Sequence, residues 1–258
     1  MKVTFLGTGT SQGVPVIACE CQVCSSLDKH DKRLRVSVLL EDKDRSIVID
    51  SGPDFRYQML RAGVKHLDAI LFTHEHKDHV AGLDDVRAFN YKQQAEIQVY
   101  AHKRVQDALK QEFHYIFSES KYPGIPRLEL HEIKDHEPFQ VSGIKIIPIS
   151  VMHFKLPVFG FRIGDFSYIT DAKTICEAER LKLSGSRVLV INALQKENHV
   201  SHLTFDEAIE LAKAIGAEKT YLTHISHRLG THREISEELP EGVFLAYDGL
   251  ELEFDAPA

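Results

Sequence analysis

Ala69-Ile70-Leu71-Phe72-Thr73-His74-Glu75-His76-Lys77-Asp78-His79 is the stretch on which the fold turns. Four consecutive apolar residues are too continuous for a half-exposed strand and predict one covered on both faces. Immediately after them, three imidazoles and the carboxylate of Asp78 fall between positions 74 and 79. Alternate side chains of extended backbone point the same way, so His74 and His76 can grip one ion while Asp78 and His79 reach another. A solvated polar loop has no need of that concentration of metal-competent groups at the end of a buried strand.

Working outward, short runs rich in β-branched residues recur at Val3 to Leu6, Val36 to Leu40, Ile47 to Ile49, Ile97 to Tyr100 and Ile144 to Ile149. They continue at Val158 to Ile163, Phe166 to Ile169, Val188 to Ile191, Thr220 to Leu222, Val243 to Ala246 and Leu250 to Phe254. Each predicts a strand, and Asp248-Gly249 predicts a hairpin joining the last two. Phe205, Ala208, Ile209, Leu211, Ala212 and Ile215 recur at helical spacing behind the capping pair Thr204 and Glu207. Further helices are expected over Asp54 to Ala62, Asp84 to Gln93, Arg104 to Phe117 and Lys173 to Leu183. Residues 114 to 138 are the least regular segment and read as a loop or lid. With no linker and no repeat, the chain reads as a single α/β domain over residues 1–258, a layered sandwich.

Later strands end on further metal-competent residues. His153 follows Ile144 to Ser150, Asp171 ends Phe166 to Thr170, and His224 follows Thr220 to Thr223. Strand ends are where α/β layers assemble sites, so their shared placement matters more than any one of them. A second cluster lies near the start, where Cys19, Cys21 and Cys24 crowd together while Cys176 stands apart and reads as a small buried apolar residue. In a reducing compartment three close thiols indicate metal before disulfide, and a structural zinc then requires a fourth ligand. Gly7, Gly9 and Gly13 do not make a dinucleotide loop, since Pro15 and the cysteines follow where a helix should open.

The formal charge of −7 and the lack of a Lys/Arg-rich stretch argue against long nucleic acid as a partner. No run approaches the roughly 20 apolar residues of a membrane helix, so no membrane partner and a cytoplasmic location are expected. Nothing in the sequence selects between a monomer and a homodimer.

The series T-H-x-H-x-D-H, then an isolated His, an Asp and another His, resembles the metallo-β-lactamase superfamily. That resemblance implies an αββα sandwich with His74, His76 and His153 on a first metal, Asp78, His79 and His224 on a second, and Asp171 bridging. It also makes Asp50, at the end of Ile47-Val48-Ile49-Asp50, a buried support for the ligands. Gly7-Thr8-Gly9-Thr10-Ser11-Gln12-Gly13-Val14-Pro15, the cysteine cluster, Thr223-His224-Ile225-Ser226-His227 and Asp248-Gly249-Leu250-Glu251 are similar to the phosphoribosyl cyclic phosphate phosphodiesterases of the carbon-phosphorus lyase pathway. This narrower resemblance implies a structural zinc on Cys19, Cys21, Cys24 and His227, with His30 and Cys176 as rivals for the fourth place.

Two divalent ions, zinc or manganese, held about 3.5 to 4 Å apart can share a hydroxide and offset phosphoryl charge. The expected reaction is hydrolysis of small phosphodiesters, cyclic ones on a sugar above all. Asp78 and His202 are the catalytic candidates, His202 as acid for the leaving oxygen with His199 as its rival. Lys155, Lys173, Arg228 and Arg233 are candidates for contact with a second phosphate. The alternatives are a tRNA 3′-end endonuclease, whose basic arm has no counterpart in the sequence, a thioester hydrolase, and a metal-binding scaffold without turnover.

Overall fold

The structure, a computed structural model, describes residues 1–118 and 122–254. Its first strands are β1 (Lys2–Gly7), β2 (Ser37–Asp42), β3 (Arg45–Ile49), β4 (Ala69–Leu71), β5 (Ile97–Ala101), β6 (Leu128–Glu132) and β7 (Phe139–Val141). The remainder are β8 (Ile144–His153), β9 (Leu156–Ile163), β10 (Phe166–Tyr168), β11 (Val188–Asn192), β12 (Lys219–Thr223), β13 (Val243–Leu245) and β14 (Glu251–Glu253). They form two sheets, ordered β14-β1-β2-β3-β4-β5-β6 and β13-β12-β11-β10-β9-β8-β7. Strands β3 to β6 run parallel in the first sheet and β10 to β13 in the second.

The apolar runs are continuous because each sheet is covered twice. Val38, Leu40, Ile47, Ile49 and Leu71 face the other sheet, where they meet Phe161, Phe166, Tyr168 and Val190. Leu39, Val48 and Ile70 point the opposite way, into a second core completed by Phe55, Phe89, Val105 and Leu109 from the covering helices. The second sheet repeats the pattern, with Leu189, Ile191 and Leu222 packed on Phe205, Ala208, Leu211 and Ile235. The layers are therefore helix, sheet, sheet, helix, as the αββα expectation required.

Helix Phe205–Ile215 starts where its capping box places it. The Thr204 N–H donates to Glu207 Oε2 at 2.8 Å and the Glu207 N–H to Thr204 Oγ1 at 3.3 Å. Helix Phe55–Ala62 also matches its expected span. Other boundaries move. The helix expected over Lys173 to Leu183 begins only at Glu177, since Thr174 bridges to Met152 instead. The stretch Arg104 to Phe117 breaks at Phe113 into helices Lys103–Glu112 and His114–Phe117.

Three expectations are corrected. Asp248-Gly249 does not join a hairpin, because β13 pairs with β12 in one sheet and β14 with β1 in the other. The turn carries the chain across, and Asp248 accepts from Thr8 Oγ1 and the Leu34 N–H, both at 2.8 Å. Part of the segment taken as a loop is β6, a polar edge strand (Leu-Glu-Leu-His-Glu) that pairs with β5 along its whole length; residues 119–121 of that segment lie outside the described residues. Cys176 is exposed at the N-cap of helix Glu177–Leu183 rather than buried. No helix among the described residues is long and apolar enough to cross a membrane.

Candidate metal centre

Three residues that follow strands leave the usual half of backbone space: Asp50 after β3 (φ 63°), Asp171 after β10 (φ 57°) and His224 after β12 (φ 55°). This left-handed conformation costs a residue with a side chain about 1–2 kcal/mol, although Asp and His tolerate it better than most. It turns the backbone sharply at each strand end. All three are buried.

The loop after β4 is drawn against the segment after β3 by glycines. The Ser51 N–H donates to His79 O and the Gly82 N–H to Ser51 O, both at 2.8 Å. A Cβ on Gly52 would stand 2.0 Å from Asp78 O, and one on Gly82 2.1 Å from Gly52 O, so only glycine permits this approach.

Hydrogen bonds then decide which nitrogen each histidine presents. The Thr73 N–H and hydroxyl donate to Asp50 at 2.9 and 2.8 Å, which leaves the hydroxyl oxygen to accept from His74 Nδ1 at 3.0 Å. His79 Nδ1 donates to Asp50 Oδ2 at 2.7 Å, and His153 Nδ1 to the Ser201 carbonyl at 2.9 Å. Each ring thereby turns Nε2 toward the centre, the arrangement by which an outer partner sets tautomer and aim. His76 differs, since its Nδ1 lies 2.9 Å from His74 Nε2. Burial, then the charge at His79, holds His74 well below the usual imidazole range.

The carboxylates ask for positive charge. His79 Nε2 lies 3.2 Å from Asp78 Oδ2 and 3.3 Å from Asp171 Oδ2, while His224 Nε2 lies 3.2 Å from Asp171 Oδ1. Burial alone would lower the pKa of His79, yet Asp171, Asp50 and Asp78 raise it well above normal. Burial likewise opposes ionisation of Asp78 and Asp171, but the surrounding imidazoles drive both well below the carboxylate range. His79 Nε2 and both ring nitrogens of His224 are buried without a hydrogen-bond partner. Buried nitrogens without a hydrogen-bond partner, set beside ionised carboxylates, suit a divalent cation.

Ligand atoms converge to within 4.8 Å in three sets here: His74, His79 and Asp171; Asp78, His79 and His224; and His153, Asp171 and His202. The second set is the grouping implied by the resemblance. Asp171 links the other two, and the His153 ring centroid lies 5.2 Å from His76 and 5.8 Å from His74 without joining them in one such set. His202 is buried, stacked 4.8 Å from His224, with Nδ1 3.8 Å from Asp171 Oδ1. Burial, then His224, pushes its pKa down to about 2. His199 stands one ring further out, 5.1 Å from His202. Lys173 is held by Glu207 at 2.8 Å and Arg233 lies beside Glu237. Thr73 and Ser201 orient the ligands yet had no assigned role from sequence, and a hydroxyl directly before the first His was the available signal for Thr73.

A second cluster joins the two ends of the sequence. His227 Nδ1 lies 3.2 Å from Cys19 Sγ and 3.5 Å from both Cys21 Sγ and Cys24 Sγ. Donation from the Cys24 N–H pulls the Cys21 thiol down to about 6, while burial pushes Cys24 up to about 11. Four soft ligands around one point fit a closed tetrahedral zinc site. The rivals are elsewhere: His30 stacks on His232 at 4.8 Å, and Cys176 is absent from the group.

A fold of this kind, with these residues gathered at its strand ends, defines a metal-binding α/β hydrolase scaffold. Residues 45–225 match the family described as "Beta-lactamase superfamily domain", and the chain belongs to that family. Among solved structures, "Crystal Structure of a New Diphosphatase from the PhnP Family" is 41% identical with a TM-score of 0.93, covering 99% of this chain and 98% of that one. The Zn(2+)-bound PqqB from Methylobacterium extorquens shares the fold at 20% identity and a TM-score of 0.78, covering 98% of this chain and 100% of that one. An "Octanoyltransferase" of Porphyromonas gingivalis (strain ATCC BAA-308 / W83) is 44% identical over 99% of this chain but 52% of its own length. The chain thus spans about half of that relative. The fold and the match establish a hydrolase superfamily member equipped to bind divalent metal.

Proposed function

We propose that the protein hydrolyses small phosphodiesters, cyclic ones on a sugar in particular, at a pair of divalent ions, zinc or manganese. The observation that carries this reading is the placement of Asp171 between two sets of imidazoles, with unpaired ligand nitrogens aimed at it. His74, His76 and His153 would hold one ion, Asp78, His79 and His224 the other, with Asp171 between them. When bound, such ions supply Lewis acidity to the phosphoryl oxygens and lower the pKa of attacking water. His202, beside Asp171, is the donor for the departing oxygen. Burial and the neighbouring His224 disfavour its charged form, and the negative charge of a bound diester would favour it. The Cys19, Cys21, Cys24 and His227 cluster holds a structural zinc that fastens the N-terminal loop to the segment carrying His224.

The similarity to a diphosphatase supports a phosphoryl substrate. The net charge of −7 supports a small one over tRNA. The octanoyltransferase similarity concerns a protein nearly twice as long, and it motivates a thioester arm in the test. Metal-replete protein is assayed on cyclic and linear phosphodiesters, a diphosphate ester and an acyl thioester. Turnover of the diesters is expected. Turnover of the thioester alone, or of nothing with both ions bound, overturns the reading.

A further inference from the structure

The β8–β9 hairpin turns on Phe154-Lys155, since His153 pairs with Leu156. In this two-residue loop only Phe154 has a positive φ, 56°. That is the pattern of a type II′ turn, whose first central position ordinarily takes glycine. A phenyl side chain is therefore carried where the backbone favours none. Burial does not compensate, because the residue is 55% exposed. Backbone strain and an exposed aromatic coincide on the residue next to His153, and strain of this kind concentrates at ligand contacts.

A second segment brings another apolar group to the same place. Val200, 62% exposed, precedes the Ser201 carbonyl that accepts from His153 Nδ1 at 2.9 Å. The two segments that meet at His153 thus each hold an apolar side chain out to solvent beside it. Lys155 Nζ lies 5.3 Å from the Phe154 ring centroid, a cation that would draw phosphate oxygens to the aromatic surface.

We propose that Phe154 is a stacking platform for a planar aromatic group of the substrate, so that the favoured phosphodiesters carry a nucleobase, as nucleoside cyclic phosphates do. This rests on the diesterase reading and narrows its substrate class. The phosphorus sits among the histidines, the base lies on the phenyl ring, and Val200 supplies the adjoining apolar edge. Stacking on an aromatic side chain changes the affinity of a base by roughly 5- to 150-fold.

Binding of product-like ligands tests this independently of turnover. Calorimetric titration of the metal-loaded protein with adenosine 5′-monophosphate and with ribose 5-phosphate should show about tenfold tighter binding of the nucleotide. Phe154→Gly should remove most of that difference, leave ribose 5-phosphate within about twofold, and keep or raise Tm because glycine suits the turn. Phe154→Tyr should restore the preference. Equal affinities in the unaltered protein, or a preference that survives Phe154→Gly, overturn the platform. Failure of every diester in the hydrolysis panel, with the nucleotide preference intact, would instead count against the diesterase reading and leave an aromatic-binding site.

Discussion

His79 Nδ1 lies 2.7 Å from Asp50 Oδ2, and both side chains are completely buried. Because Asp50 also accepts both hydrogen bonds from Thr73, it fixes the ring that reaches Asp78 and Asp171 without itself facing the centre. Asp50→Asn keeps the volume but removes the charge. Affinity for the second metal should fall about 10- to 100-fold, as such outer partners typically contribute. Competition with a chelator measures it, and unchanged affinity would remove the supporting role.

Asp171 approaches His79 and His224, proposed for one ion, within 3.3 Å, and it also converges with His74 and with His153, proposed for the other. Asp171→Ala should therefore deplete both active-site ions together rather than one. Elemental analysis after gel filtration checks this. Retention of both ions with full activity contradicts a bridging position.

For the thiol cluster, Cys21→Ser should cost one zinc per chain and lower Tm, since a structural zinc contributes directly to folding. Thiolates prefer zinc to manganese, so growth in manganese should exchange the active-site ions and leave this one in place. Loss of no metal and an unchanged Tm would count against the site.

His202→Ala should slow hydrolysis of an alkyl diester by roughly 10²- to 10⁴-fold, the usual contribution of a general acid. A nitrophenyl diester should suffer much less, because its leaving group departs unprotonated. Metal content distinguishes the roles further. Since His202 converges with His153 and Asp171, loss of an ion in this variant would make it a ligand instead.

Away from the centre, Arg33 Nη2 donates to His232 Nδ1 at 3.2 Å. Burial, then the charge of Arg33, pushes His232 down to about 4, against about 6.5 in an unfolded chain. Between those values the unfolded state binds a proton that the folded state refuses, so stability falls as pH drops from about 6.5 to 4. Above that window His232 imposes no penalty. Urea unfolding at pH 7 and pH 5 should show a smaller loss for His232→Gln than for the unaltered protein, and equal losses would exclude the histidine as a cause.

Much of this architecture was legible because its signals are local. Doubly covered strands such as β4 are unbroken apolar runs, and the capping box at Thr204 is written in four residues. The metal-competent residues of positions 74–79 share one loop, so their clustering is visible in the spacing. β6 was not legible, because an edge strand with only two leucines among Glu129, His131 and Glu132 owes its pairing to β5 and not to its own composition. The crossing of Asp248-Gly249 between sheets was hidden for a similar reason: a turn signal says that the chain reverses, not which sheet receives it. The convergence of His153 on Asp171 and His202 depends on Ser201, a contact that no spacing encodes.

The left-handed backbone at Asp50, Asp171 and His224 has an evolutionary corollary. Glycine or asparagine would occupy each of these positions with less strain, so for a chain freed from holding metal the conformational gradient runs away from Asp and His. Drift without selection would descend it, since the first changes would relieve the backbone even as they emptied the site. All three residues stand uphill on that gradient. In a descendant that no longer needed metal, the earliest sign of the change would be a glycine at a strand end.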